Sequence, residues 1–257
     1  MSLLVRVLGS ALLVAGALVA GLAYCPAQVM RMWLPPRIEV ATLSGTVLNG
    51  TATGIRVTHV PVGDLSWHVD LSSLLCAHPV GTVAITHEKD YVHLRFDIAP
   101  SDTLRLTDID AVVSLALLNT ILRQPTAADT RAVASWLGVL HANLNSLTIR
   151  HGWPTALNGH VTLSQLQFPK SDVILGSYEL SFTELSRADG TVVGQIHDVD
   201  GLLKVAAVLE LEPSRSFKLT GDIASTPNAS DEVRNALAFL GIYALTGPHD
   251  FEITGTY

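Results

Sequence analysis

The chain changes its hydrophobic rhythm once, sharply. Val7 to Tyr24 (VLGSALLVAGALVAGLAY) is apolar without a charge. At about 1.5 Å per residue this run of roughly 18 residues, extended through Leu3 to Val5 with Arg6 snorkelling, is long enough to cross a hydrocarbon core of about 30 Å. It predicts a transmembrane anchor over residues 1–24. The apolar run exceeds the h-region of about 7 to 15 residues in a cleaved signal peptide, so an uncleaved anchor is the better reading even though Gly21-Leu22-Ala23 offers a small-x-small site. Tyr24 before Cys25 does not suit a lipoprotein signal. Pro26 and Trp33-Leu34-Pro35-Pro36 then make residues 25–37 a stiff juxtamembrane link, with Trp33 suited to the membrane interface.

From Ile38 the period becomes two. Tyr91 to Ile98 (YVHLRFDI) alternates polar and apolar residues, as do Val161 to Leu163, Tyr178 to Leu185 and Phe251 to Thr254, which is the pattern of half-buried strands. Asp189-Gly190 and Asp200-Gly201 sit between such runs as two-residue hairpin signals, and Asn49-Gly50 reads as a type I′ turn. One short pattern recurs as LSGTV (43–47), LNGHV (157–161), LTGDI (219–223) and ITGTY (253–257). A glycine at the same phase in several strands implies a bulge, a strong twist or a close backbone approach. Helices are the minority. Ser230-Asp231-Glu232 caps a helix with Val233, Leu237 and Leu240 on its apolar face and Gly241 as its stop. Asp129 to Leu140 carries a helical stripe of Val133, Trp136, Leu137 and Leu140, and Asp110 to Leu122 is apolar on all sides and reads as either a buried helix or a strand. The fold class expected is mainly β: an N-terminal transmembrane helix followed by a curved, mostly antiparallel β-sheet domain (38–257) with two or three short helices.

Composition narrows the chemistry. The 257 residues are 48% hydrophobic but only 15% charged, against roughly 25% in soluble domains, and the formal charge of −7 comes without a Lys/Arg cluster. The electrostatic footprint of a nucleic-acid binder is missing. The amino terminus and Arg6 on one side of the span are matched by Arg31 and Arg37 on the other, so charge does not fix orientation. A short leader before an apolar run nevertheless suits an exporting anchor, with residues 25–257 outside the cytoplasm. Cys25 and Cys76 form no disulfide framework.

Candidate catalytic patterns fail on spacing. His87-Glu88 lacks the second histidine of a zinc-protease helix, since Tyr91 stands there. Asp198-Val199-Asp200-Gly201 continues into Leu-Leu-Lys-Val without further oxygen ligands, which suits a hairpin turn better than a calcium loop. No serine has a Gly-x-Ser-x-Gly elbow. In Leu43 to Val57 (LSGTVLNGTATGIRV) no lysine follows the glycines, so the stretch is a hairpin and not a phosphate loop. Asn49-Gly50-Thr51 and Asn228-Ala229-Ser230 fit a glycosylation sequon, but turn roles explain both. The expectation is a protein that is not an enzyme, with no catalytic, cofactor-binding or metal-binding residues.

The order of segments resembles one family. LSGTVLNGTATGI, then VGDLSWHVDLSSLL, then LNGHVTL, LGSYELSF, HDVDGLLKVAAVLEL, FKLTGDI, LAFLG and a final EITGTY is similar to type II secretion system protein N, also called general secretion pathway protein N. The matching residues are Gly45, Thr46, Gly50, Trp67, Leu71, Gly159, Gly176, Asp200, Gly201, Gly221, Gly241 and Gly255, and Leu48 stands where the family usually shows Trp. The resemblance implies a single-pass inner-membrane component with a periplasmic domain, other secretion-system subunits as partners, and no cofactor or catalytic residue. A more distant similarity in fold, to the curved β-groove domains of membrane-anchored lipid-transport and outer-membrane assembly proteins, implies a second function: binding of lipid or another hydrophobe. Low charge and strands such as Val205 to Leu209, apolar on both faces, motivate it.

Overall fold

The structure is a computed structural model that describes residues 21, 24–76, 78–122, 136–167, 174–183, 187, 189–226 and 249–256. Its body is one antiparallel sheet of fourteen strands: β1 (Ile38–Glu39), β2 (Thr42–Gly45), β3 (Asn49–Val57), β4 (Val60–Val69), β5 (Val80–His87), β6 (Asp90–Ala99), β7 (Thr103–Ser114), β8 (Leu137–Arg150), β9 (Trp153–Gln167), β10 (Ile174–Phe182), β11 (Val192–Asp198), β12 (Leu203–Leu211), β13 (Ser216–Ser225) and β14 (His249–Thr256). From β3 onward each strand pairs with the next in sequence, and β1 and β2 lie end to end along β3. The expectation of a mainly β, antiparallel architecture holds. Among the described residues two short helices, α1 (Leu71–Leu75) and α2 (Leu115–Leu122), interrupt the meander, and a 3₁₀ helix (Ala27–Trp33) precedes it.

The two-residue period is kept in phase across the whole sheet. Register pairs run Leu43–Ala52–Leu65–Ile85–Val92 from β2 to β6. They continue Ala111–Ala142–Val161–Leu180 from β7 to β10, and finish Ile196–Ala207–Gly221–Phe251 from β11 to β14. One apolar row therefore crosses thirteen strands. The adjacent row, through Thr51, Ser66, His93, Asp110, Asn143, His160, Ser181 and Gln195, is mostly polar and faces the other way. Successive side chains of a strand point to opposite faces, so this register makes an amphipathic sheet. Ala206 and Ala207 sample its two sides with equal side chains: Ala206 is exposed, whereas Ala207 is 6% exposed. Most other side chains of the apolar face are half-buried rather than covered.

Bulges adjust the sheet without breaking that phase. Register shifts occur in β3–β4, β6–β7, β8–β9 and β9–β10, and Gly54, Asp108, Gly159 and Gly176 at or beside them have positive φ. An extra residue on one strand bends it and increases its twist. The β12–β13 turn shows the result: Arg215 Nη2 donates to the His151 carbonyl in the β8–β9 turn at 2.9 Å. Four strand spacings of about 4.8 Å would hold those turns roughly 19 Å apart in a flat sheet, so β9–β12 arch. The apolar face is the more buried one, as the concave side of an arch is, and is here termed the inner face.

Glycine and aromatic residues alternate on this face as cross-strand partners. Gly50 pairs with Trp67, Gly81 with Phe96, Gly194 with Phe182 and Gly255 with Phe217. A Cβ at any of the four would lie 2.3 to 2.7 Å from its partner's ring. The ring lies down over the bare backbone, the aromatic rescue that lets a glycine sit in a strand. Glycine at the same phase thus has two causes here. Gly159, with φ of +132°, lies opposite a bulge whose extra residue is Asn145 of β8, and at Gly221 and Gly255 the cause is close approach within regular pairing.

Several expectations are corrected. The first hairpin turns at Thr46–Leu48, not at Asn49-Gly50, which open β3, because Gly50 is needed flat beneath Trp67. The family segment from Val62 to Leu75 is strand as far as Val69 and continues as α1. Leu137 to Leu140 are strand, since Leu140 continues the alternation of Ala142 and Leu144 and pairs with Val113, and residues 129–135 lie outside the described residues. The ambiguous run from Asp110 divides between β7 and α2 at Ser114, whose hydroxyl and N–H are both held by Asp90 at 2.9 Å. The strand begun at Tyr178 ends at Phe182, and the Asp200-Gly201 turn has four residues, Val199 to Leu202, rather than two. The helix ending at Gly241 lies outside the described residues, as do residues 1–20, 22 and 23. Among the described residues no helix is long and apolar enough to cross a membrane.

The seating of Trp67 gives a direct test. Gly50→Ala is expected to destabilise the protein by about 1 to 3 kcal/mol, because its methyl has no room between the ring and the Ser44 carbonyl. Urea unfolding measures it, and an unchanged midpoint would show that the ring is not seated there.

Candidate functional site

The residues that carry the family resemblance gather at two places. Gly45, Thr46, Gly50 and Trp67 meet around the β2–β3 turn. Trp67 Nε1 donates to the Val47 carbonyl at 2.9 Å, and the Val69 N–H donates to the Leu48 carbonyl at 2.7 Å. Thr46 Oγ1 accepts from the Asn49 N–H at 3.1 Å. Trp67 and Val69 of β4 thus hold two consecutive turn residues, Val47 and Leu48, while Thr46 is bonded to Asn49 within the turn. It is 8% exposed and packs with Ala27, Leu43 and Ala52, joined by Met30. The segment before the sheet is clamped to the same turn. Val47 N–H donates to the Cys25 carbonyl at 3.0 Å, Gln28 Nε2 to the Leu43 carbonyl at 3.3 Å and Arg31 Nη2 to the Ala41 carbonyl at 3.0 Å.

Gly176, Asp200 and Gly201 form the second knot. A Cβ on Gly176 would strike the Gly201 Cα at 2.4 Å, and Asp200 Oδ1 accepts from the Ser177 N–H at 2.6 Å. Tyr178 covers them; its hydroxyl donates to the Leu175 carbonyl at 3.2 Å, and burial pushes the phenol up to about 12 and keeps it a neutral donor. Leu175 and Leu203 form a small core beside it with Leu166, Val205 and Ile223. Gly159 lies against Leu144, Gly221 against Ala207 and Gly255 under Phe217, while Leu71 opens α1 and is 40% exposed. Gly241 is outside the described residues. The described positions of this set shape turns and strand backbone.

The polar face holds a shallow cavity of about 400 Å³ lined by Asn49, Ser66, His68, Thr82, His93 and Arg95. Asp70 lies 3.5 Å from His68 Nε2 and 3.9 Å from Arg95, and all three side chains are substantially exposed. The arrangement is a solvated ion network worth little to stability. His87 and Glu88 fall at the β5–β6 turn and Tyr91 on β6, so no helix joins them. Burial pushes Asp198 up, but its ion pair with Lys204 and a bond from the Val205 N–H prevail and hold it below the usual carboxylate range. Asp198 and Asp200 are thereby used within the β11–β12 hairpin. Among the described residues no group of three or more His, Cys, Asp or Glu side chains could hold a metal ion.

Two surfaces escape motif reading. The first is the apolar inner face, invisible in any one strand and apparent only when register aligns thirteen of them. Its single signal in the sequence is the pairing of lone glycines with aromatics one strand away. The second is a carboxylate pair at the end of the sheet: Asp222 and Asp250 are cross-strand partners on β13 and β14. A hydrogen bond shared with Asp250, then desolvation and like charge, raises Asp222 above its ordinary value.

Three substitutions probe these features. Trp67→Phe keeps the ring but leaves the Val47 carbonyl without its donor, and is expected to cost about 1 kcal/mol, whereas Trp67→Ala should cost about 3 to 5. Calorimetry distinguishes them. The folded chain holds the Asp222 proton more tightly than the unfolded one, so that contribution is present in acid and lost as pH rises through the raised value. Asp250→Asn is therefore expected to raise the melting temperature at pH 7 and leave it nearly unchanged near pH 3, and equal shifts at both would discount the pair.

A model of the family described as type II secretion system (T2SS), protein N, matches residues 36–248. No curated protein and no solved structure matches the chain. The match begins just before β1 and covers both knots and every strand as far as β13. The chain belongs to the type II secretion system protein N family.

Proposed function

We propose that this protein is a non-enzymatic component of the type II secretion apparatus that supports export of folded proteins across the outer membrane. Residues 1–24 anchor it in the inner membrane by a single pass, residues 25–37 form the juxtamembrane segment and residues 38–257 stand in the periplasm. The observation that carries this reading is the family match across residues 36–248. The residues the family resemblance picks out support it from the side of chemistry, because their work is to fix turns and seat rings. That is work a scaffold requires.

Its partners are other subunits of the apparatus, engaged through the loops and the terminal strands of the sheet. A terminal strand carries N–H and C=O groups able to take a partner strand. A second reading, a groove that binds lipid or another hydrophobe, is favoured by one observation: the apolar row from Leu43 to Phe251 lies on a face that is largely half-buried.

Detergent extraction followed by affinity purification of the full chain is expected to bring down secretion-system subunits, and deletion is expected to lower release of exported proteins into the medium. If nothing from the apparatus co-purifies and export continues, the component role is wrong.

A further inference from the structure

We propose that the inner face of the sheet is a track for the acyl chain of a membrane phospholipid, loaded from the end formed by the 3₁₀ helix and the first hairpin. This deepens the second reading above and rests on it. The track has the right continuity. One apolar residue from each of thirteen consecutive strands lies in a single cross-strand row, and at about 4.8 Å per strand the row runs for roughly 58 Å. No charged residue interrupts it.

Its floor suits a featureless chain. Ala52, Ala111, Ala142, Ala207 and Gly221 are the small members of the row and leave low stretches between its larger side chains. The rings of Trp67, Phe96, Phe182 and Phe217 lie flat over glycines instead of standing up. A hydrocarbon chain needs only apolar contact along such a floor. An extended peptide would lay an N–H and a C=O against it at every residue with nothing in the row to bond them, at a cost of a few kcal/mol for each pair.

The source of the chain is indicated by what adjoins the row. Its first residues, Leu43 and Ala52, pack with Ala27 and Met30 of the 3₁₀ helix, and that segment turns other apolar groups outward. Met32 is 82% exposed, Trp33 77% and Tyr24 82%. Tyrosine and tryptophan with free apolar bodies are the residues of a bilayer interface. An exposed apolar patch thus adjoins the helix that packs on the first residues of the row, and a lipid is the ligand such a surface would receive.

The test uses the full chain in phosphatidylethanolamine–phosphatidylglycerol vesicles whose palmitoyl chains are radiolabelled, with photoreactive benzoylphenylalanine placed at Ile196 in the row or at Gln195, its neighbour on the other face. Illumination is expected to label the Ile196 protein at least tenfold more than the Gln195 protein. Ala142→Trp, placed between the loading end and β11, is expected to abolish labelling at Ile196 while leaving a photoreactive group at Val92 labelled. Equal labelling at Ile196 and Gln195, or crosslinking of Ile196 to protein alone in intact cells, would overturn the proposal. Co-purification of secretion subunits is scored on the same variants. Lipid labelling without subunits would defeat the component role and keep the track, and subunits without lipid would do the reverse.

Discussion

Phase is what the molecule depends on. A β-strand gives one side chain to each face in turn, so a slip of one residue anywhere in the meander would invert everything beyond it. With thirteen strands in one row, a single unresolved slip would put half of the apolar surface into water. The bulges show how the phase survives. In β7 the residue Asp108, with φ of +51°, takes up the extra position, so that Leu106 and Ile109 both stay on the inner side. The sheet bends where a residue is inserted and the faces do not exchange. Curvature and amphipathic order are obtained from the same device.

Arching has a second requirement, which is small residues inside the bend. Alanine meets it by bulk alone, and glycine meets it with a loss of packing and a gain of chain entropy that weaken a strand. The four glycine–aromatic partners resolve the conflict by supplying apolar cover from the adjacent strand. Trp67 does more than the three phenylalanines because its indole N–H also reaches the Val47 carbonyl. One side chain therefore joins a strand, the bare backbone beside it and the turn beyond. That concentration of roles gives Gly45, Thr46, Gly50 and Trp67, four residues of the family resemblance, a common structural purpose.

Strands were legible in the sequence wherever alternation ran for more than a few residues, as in Tyr91 to Ile98 and Phe251 to Thr254. Turns were less so. The β3–β4 hairpin closes on Thr58-His59, both with positive φ, and the β8–β9 hairpin on His151-Gly152. Side chains other than glycine and asparagine accept that backbone when pairing on both flanks outweighs the local cost, so composition gives little warning. Asn49-Gly50 erred in the opposite direction, since tertiary packing under a ring claimed a dipeptide with strong turn propensity. Leu137 to Leu140 were drawn toward helix by their spacing from Trp136, whereas both leucines belong to the start of β8. The inner face as a candidate surface could not be read from spacing, because it is a property of register and register is decided between strands.

The clamp on the 3₁₀ helix has a mechanical meaning. Cys25, Gln28 and Arg31 are each bonded to backbone of the first hairpin, and Ala27 is wholly buried against it. There is accordingly no slack between residue 25 and the sheet. A pull or tilt applied ahead of that point is delivered to β2 and β3 as torque, and through fourteen hydrogen-bonded strands to the far end of the arch. The sheet behaves less like a domain on a tether than like a blade set in a handle.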